Sequence, residues 1–169
     1  NRVRGEPEAA GKLLSNARSI ASTASDRLAV LTDEISWAEW VGKTDQLEGL
    51  RDELIQTIGN ETDPRVIARS YLASARVLKT LGNSEASLQD FRRAGRSFSE
   101  AGMPLGEADA LNGGGRVLGN LGRVDEAVSA LAQASQIYHS LNHPAEVFPM
   151  LTQGVIELEA GRYLAARTT

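Results

Sequence analysis

His139 and His143 stand four residues apart, a separation that brings two imidazoles onto one helical face, where they could share a zinc ion. The zinc hydrolases that use this spacing place a glutamate general base between the histidines. Here Ser140, Leu141 and Asn142 fill the interval, and Pro144 ends the element at once. The chain has no cysteine, so it has no thiolate ligand, cysteine nucleophile or disulfide. Arg92, Arg93 and Arg96 form the densest basic group and could hold a phosphate, but Asp90 and Glu100 flank them, which favours a solvated face with local ion pairs. Gly113-Gly114-Gly115 has neither a preceding strand nor the later glycine of a dinucleotide fingerprint, and no GxxxxGK[ST] loop occurs. On no helical face does a nucleophile meet a hydrogen-bonding base. The expectation is a non-enzyme with no catalytic residues, no metal and no cofactor.

The elements that carry these residues show themselves through self-similarity. Glycines recur at Gly5, Gly42, Gly82, Gly122 and Gly161, with spacings of 37, 40, 40 and 39 residues. Pro64, Pro104 and Pro144 keep the same period, each about eighteen residues ahead of a glycine mark, where proline suits the first turn of a helix. Asp63 is placed to cap the helix opened by Pro64, and each glycine can take the left-handed conformation that ends one. Five residues after the marks come Ala10, Leu47, Ser87, Ala127 and Ala166; nine after come Leu14, Arg51, Phe91 and Leu131. Seven before stand Ile35, Ala75, Gly115 and Gly154, and eleven before stand Leu31, Tyr71, Leu111 and Met150. Small residues let antiparallel helices approach, and large ones fill the space beside them. Each unit therefore reads as helix, turn, helix.

The run Leu111-Asn112-Gly113-Gly114-Gly115, Leu118, Gly122-Arg123-Val124-Asp125-Glu126-Ala127, Leu131 and Ala134 resembles a tetratricopeptide (TPR) repeat. Tyr71, Ala75, Leu78, Gly82, Ser87, Phe91 and Ala94 fit the same pattern, as do Met150, Gly154, Gly161, Tyr163 and Ala166. The pair around Gly42 departs from it, with Arg51 where a large apolar residue is expected and Leu47 where a small one is. The resemblance implies an all-α, right-handed TPR-like superhelical solenoid of antiparallel helix pairs. The period of about forty residues resembles the long-period variety of kinesin light chains and bacterial regulators.

Residues 1–169 are expected to form one repeat domain, an excised part of a larger protein. Residues 5–24 would be the second helix of a truncated repeat whose first helix Gly5 closes. Helix pairs would span 26–58, 64–101 and 104–142, with a truncated last repeat at 144–169. In more detail, helices are expected near 7–24, 26–41, 45–58, 64–81, 84–101, 104–121, 124–141 and 146–160, with a partial helix from Tyr163. Pro149 should make its helix start late or kink. Gly115 matches the small packing position, whereas Gly113 and Gly114 either admit a neighbouring helix or leave room for a ligand backbone, packing being favoured.

In this family the first helix of each pair lines a concave groove. Carried over by register, the groove positions are Ser36, Glu39 and Trp40, then Arg69, Leu72, Arg76 and Lys79, then Asn112, Arg116 and Asn120. Arg69, Arg76, Lys79 and Arg116 would form a positive strip for an acidic peptide or carboxylate, with pairing to Glu39 and Asp109 as the alternative. Trp37 and Trp40 read first as packing residues, Trp40 also as an interface anchor.

A net charge of −4 argues against direct nucleic-acid binding. The longest uncharged stretch, Ala127 to Ala145, is too polar to span a membrane. A cytoplasmic location follows as the expectation, and arginine outnumbering lysine fifteen to three agrees with a bacterial source. The expected role is a protein- or peptide-binding scaffold or sensor. The alternative is a phosphatase-type or ATPase-linked accessory arm in which Gln153 acts on a bound partner. Apolar flanks such as Val155, Ile156 and Leu158 would promote self-association through the terminal repeat.

Overall fold

The computed structural model describes the backbone of residues 2–161 and the side chains of residues 7–161. Among these residues the chain forms eight helices and no strand: α1 (Arg2–Ile20), α2 (Ala24–Val41), α3 (Leu47–Ile58), α4 (Pro64–Thr80), α5 (Ser84–Glu100), α6 (Pro104–Asn120), α7 (Val124–Ser140) and α8 (Val147–Glu159). Short helical turns, Thr44–Gln46 and Pro144–Glu146, lead into α3 and α8.

The helices end where the sequence repeats. Gly42, Gly82, Gly122 and Gly161 all have φ between 72° and 78°, a region that costs an L side chain dearly and glycine almost nothing. After Gly42, Gly82 and Gly122 the next backbone N–H returns to a carbonyl five back, as in Asn83 to Leu78 (2.8 Å) and Arg123 to Leu118 (2.9 Å), satisfying carbonyls the helix leaves open. A second series, Gly102 and Asn142, also forty apart, ends α5 and α7 in the same way. Helix starts follow the expected chemistry too. Asp63 Oδ1 accepts from the Arg65 N–H (2.9 Å), Pro64 and Pro104 open their helices, and Thr23 with Asp26 forms a reciprocal capping box on α2.

Gly5 is a correction. It lies inside α1, as does Pro7, and closes no preceding helix, because a glycine ends a helix only by leaving helical dihedrals. Pro149 instead falls in the first turn of α8, which starts at Val147, so the proline removes no intrahelical bond. The expected helix from Tyr163 and the register positions Tyr163 and Ala166 lie outside the described residues.

Packing follows the small-to-large alternation. Ala75, Ala94, Ala127 and Ala134 are fully buried beside Phe91, Phe98, Leu131 and Tyr138. The pair around Gly42 also closes, with Leu47 buried among Leu31, Ile35 and Leu54, although α3 is five residues shorter than the 17-residue α5 and α7. Each helix packs on the next, and α2, α4, α6 and α8 additionally touch one another in series, while among the second helices no such series forms. The first helices therefore make the inner wall of a curved array and the second helices its outer, more widely spaced wall. On α8, Val147, Phe148, Leu151, Val155 and Leu158 are exposed, whereas Ile156, expected among the bare flanks, is buried against Gly119.

Candidate functional site

The inner wall brings together most of the residues expected in the groove. Arg76 and Lys79 sit one turn apart on α4, and Asn112, Arg116 and Asn120 repeat at one-turn intervals on α6. Arg76 reaches back to α2, where Nε donates to Glu39 Oε2 (3.1 Å) and a terminal nitrogen donates to Ser36 Oγ (3.1 Å). The pairing with Glu39 expected as the alternative is thus present, and it accounts for one cation of the strip. Lys79 is half-buried. Its amine is held below the usual lysine range by loss of water, then by the positive charge of Arg116, with Glu39 opposing and Arg76 adding to the depression. Arg116 is exposed and has no hydrogen bond or ion pair among the described residues. Asn112 contributes a buried side-chain oxygen with no hydrogen-bond partner among the described residues, and Asn120 is exposed. Trp40 is 64% exposed at the end of α2, in reach of solvent rather than in the core.

Arg69 does not join this group. It lies about 10 Å from Arg76 along the helix axis, lines a small hollow with Ala29, Thr32 and Asp33, and acts on the Asp63 carboxylate instead. The strip is therefore Arg76, Lys79 and Arg116, three cations facing one glutamate.

The other groups singled out by type or spacing have structural partners. His139 pairs with Glu146 (3.1 Å), while His143 stacks on Tyr138 and accepts from the Ala145 N–H, so the two imidazoles do not converge. No cluster of three or more His, Asp or Glu suited to a metal occurs among the described residues. Arg93 pairs with Asp90 (3.0 Å) and lies over Tyr71, and Arg92 reaches Glu126 on α7 (3.4 Å). Gln153 donates to the buried Glu157 (3.1 Å). Trp37 packs between α1 and α2, donating to the Pro7 carbonyl (2.9 Å) under the Lys43 ammonium. Gly113 lies against the Phe91 ring and Gly115 against Leu131, so both admit neighbouring side chains. Asp109 receives the Tyr138 hydroxyl and is no partner for the strip; burial and this carboxylate push the phenol well above its ordinary range.

Two features were not legible in the residue spacing. Arg51, the apparent defect in the first pair, donates through Nε to Ser74 Oγ (3.0 Å) and lies 3.8 Å from the buried Asp90 carboxylate, plugging the outer groove between α3 and α5. One repeat on, the groove between α5 and α7 is open, a hollow of about 650 Å³ floored by α6.

No known family profile matches the chain, and no curated protein matches it. Solved structures do. BtubC (BKLC) from P. vanneervenii superposes with a TM-score of 0.75 at 15% identity, over 95% of this chain and 67% of that one. A Podosopora anserina chain of nearly identical TPR-like repeats gives a TM-score of 0.73 at 15% identity, over 98% of this chain and 82% of its own. The fold is a TPR-like solenoid. In the terms of that fold, α2, α4 and α6 are the groove-lining helices, and the strip on them occupies the concave wall. No described helix of the solenoid is long and apolar enough to cross a membrane.

Proposed function

We propose that this TPR-like solenoid is a protein- or peptide-binding module whose concave wall grips an acidic segment of its partner. The observation that carries this reading is Lys79, half-buried between Arg76 and Arg116, with Glu39 as the one nearby counter-charge among the described residues. Three cations so placed repel one another, and a carboxylate from a ligand relieves that repulsion while accepting charge-assisted hydrogen bonds. Exposed Trp40 offers an apolar anchor at the end of the strip. We further read residues 1–169 as one domain of the long-period TPR variety, cytoplasmic and serving a bacterial regulatory or signalling protein. Support for these finer points is the forty-residue period and the arginine-rich composition.

The test is calorimetric titration with an acidic peptide recovered by affinity selection on the purified chain. The double substitution Arg76→Glu and Arg116→Glu should weaken binding by about tenfold or more, since charged hydrogen bonds are worth about 1.5–3 kcal/mol each. Circular dichroism should show unchanged helicity. Affinity should also fall with rising pH, beginning below the ordinary lysine value of about 10.4, because the bound carboxylate favours the ammonium form of Lys79 and is lost as that proton leaves. Equal affinity in parent and folded double variant would move binding off the concave wall.

The exposed stripe on α8 supports self-association as a second property of the chain. Sedimentation equilibrium should show an average mass that rises with concentration. A monomer at every loading concentration would remove this reading.

A further inference from the structure

The hollow on the outer wall is bounded by α5 on one side and α7 on the other, with α6 as its floor. At about 650 Å³ it falls within the range of small-molecule sites, roughly 300–1,000 Å³. The forty-residue register explains why it is open. In the preceding repeat the equivalent space is filled from within by Arg51, held by Ser74 and Asp90. Phe91, Gly114 and Ala130 occupy those three positions here. Phe91 folds its ring onto Gly113, where no side chain resists it, and Gly114 and Ala130 offer neither bulk nor polar groups. With Leu88, Leu111 and Leu118 they leave a floor that is apolar and unfilled.

The rim is charged unevenly. Arg96 on the α5 side has no ion-pair or hydrogen-bond partner among the described residues. Arg92 has a 3.4 Å contact with Glu126, whose carboxylate is held more closely by Arg123 at 2.6 and 2.7 Å. Ser99 and Gln133 also line the hollow as neutral hydrogen-bonding groups, while Glu107, Asp125 and Glu126 bring three carboxylates to the rim. One guanidinium is thus free to bind an anion over an apolar floor, and the surrounding acids disfavour a second negative charge.

We infer that this outer-wall hollow binds an amphipathic monocarboxylic acid, its hydrocarbon body on Phe91, Leu111, Gly114 and Leu118 and its carboxylate on Arg96. This site lies on the opposite wall from the strip of Arg76, Lys79 and Arg116 and is independent of it.

Decanoate is the probe and decanol its neutral counterpart, each titrated calorimetrically into the purified chain. Decanoate should bind saturably at one site, with decanol about tenfold weaker. A side chain at position 114 starts in ordinary contact with Phe91 Cβ (3.6 Å) and Leu88 Cδ1 (3.7 Å), so Gly114→Leu should fill the hollow and weaken decanoate at least tenfold. Arg96→Gln, at an exposed position that leaves folding unaffected, should weaken decanoate about tenfold and leave decanol unchanged. The double variant at Arg76 and Arg116 should bind decanoate as the parent does. The inference is overturned by non-saturable binding to the parent, by parent-like affinity in a folded Gly114→Leu, by an Arg96→Gln that binds decanoate unchanged, or by loss of binding in the Arg76/Arg116 variant.

Discussion

Asp90→Ala is expected to lower stability by about 2–3 kcal/mol, a large effect for a side chain outside the concave wall. The carboxylate is 3% exposed and accepts from Ser74 Oγ (2.7 Å) and Arg93 (3.0 Å), with Arg51 at 3.8 Å. Removing it leaves the fully buried Ser74 hydroxyl without its acceptor, takes the carboxylate from Arg93, and leaves Arg51 with Asp52 (3.3 Å) as its counter-charge. The figure lies below the roughly 3–5 kcal/mol typical of a broken buried pair because Arg51 and Arg93 keep partial access to water. Exchanging all three plug residues for apolar ones, as Arg51→Met, Ser74→Ala and Asp90→Leu together, should recover part of the loss; the residues one repeat later do not serve, because Ala73 stands where Gly113 makes room for the Phe91 ring. The Arg51–Asp90 pair then disappears together, leaving only the half-exposed Arg93 and the exposed Asp52, and buried ion pairs replaced by apolar groups are often neutral. Urea denaturation followed by circular dichroism measures both. An Asp90→Ala transition that overlays the parent would show that the plug contributes nothing to the fold.

The same plug shows where reading the sequence succeeds and where it stops. Helix ends were legible because they rest on one residue's conformational freedom, and Gly42, Gly82, Gly122 and Gly161 all take the expected left-handed backbone. Gly5 fits the period but lies inside a helix, since periodic placement alone does not force a glycine out of helical dihedrals. Arg51 was visible as a departure from the apolar pattern, but its partners are 23 and 39 residues away on two other helices, and no local rule pairs them. Likewise, the forty-residue register placed Arg76 and Arg116 on one wall, but not the turn of Arg76 toward Glu39 and Ser36. Arg69 followed the same register and still falls outside the strip, because two helical turns separate it from Arg76. The outer hollow depends on which way the Phe91 ring folds, which is decided by packing against Gly113 rather than by residue type.

The triple glycine gives the second large effect, with opposite signs at adjacent positions. Alanine in a helix interior is favoured over glycine by about 0.8–1 kcal/mol, and each substitution gains this much before packing is considered. At Gly114 the new Cβ meets its neighbours at 3.6 and 3.7 Å, ordinary contact, so Gly114→Ala should stabilise by about 0.5–1 kcal/mol. At Gly115 the Cβ would stand 2.7 Å from Leu131 Cγ and 2.9 Å from Cδ2, with the Ala127 carbonyl at 3.4 Å closing the way out. Leu131 is fully buried, and its Cγ lies too near its own backbone to swing clear. Overpacking of this kind costs about 1–3 kcal/mol, so Gly115→Ala should be destabilising by up to about 2 kcal/mol after the helical gain. The preceding repeat accepts Ala75 at this position because Phe91, in the register of Leu131, turns its ring away onto Gly113. The cost at Gly115 therefore belongs to the Gly115–Leu131 contact and should couple to it. Leu131→Ala alone should cost about 2–5 kcal/mol, and the double variant should be more stable than the sum of the single losses by about 1 kcal/mol or more. Strict additivity in denaturant melts would place the strain elsewhere in the helix pair.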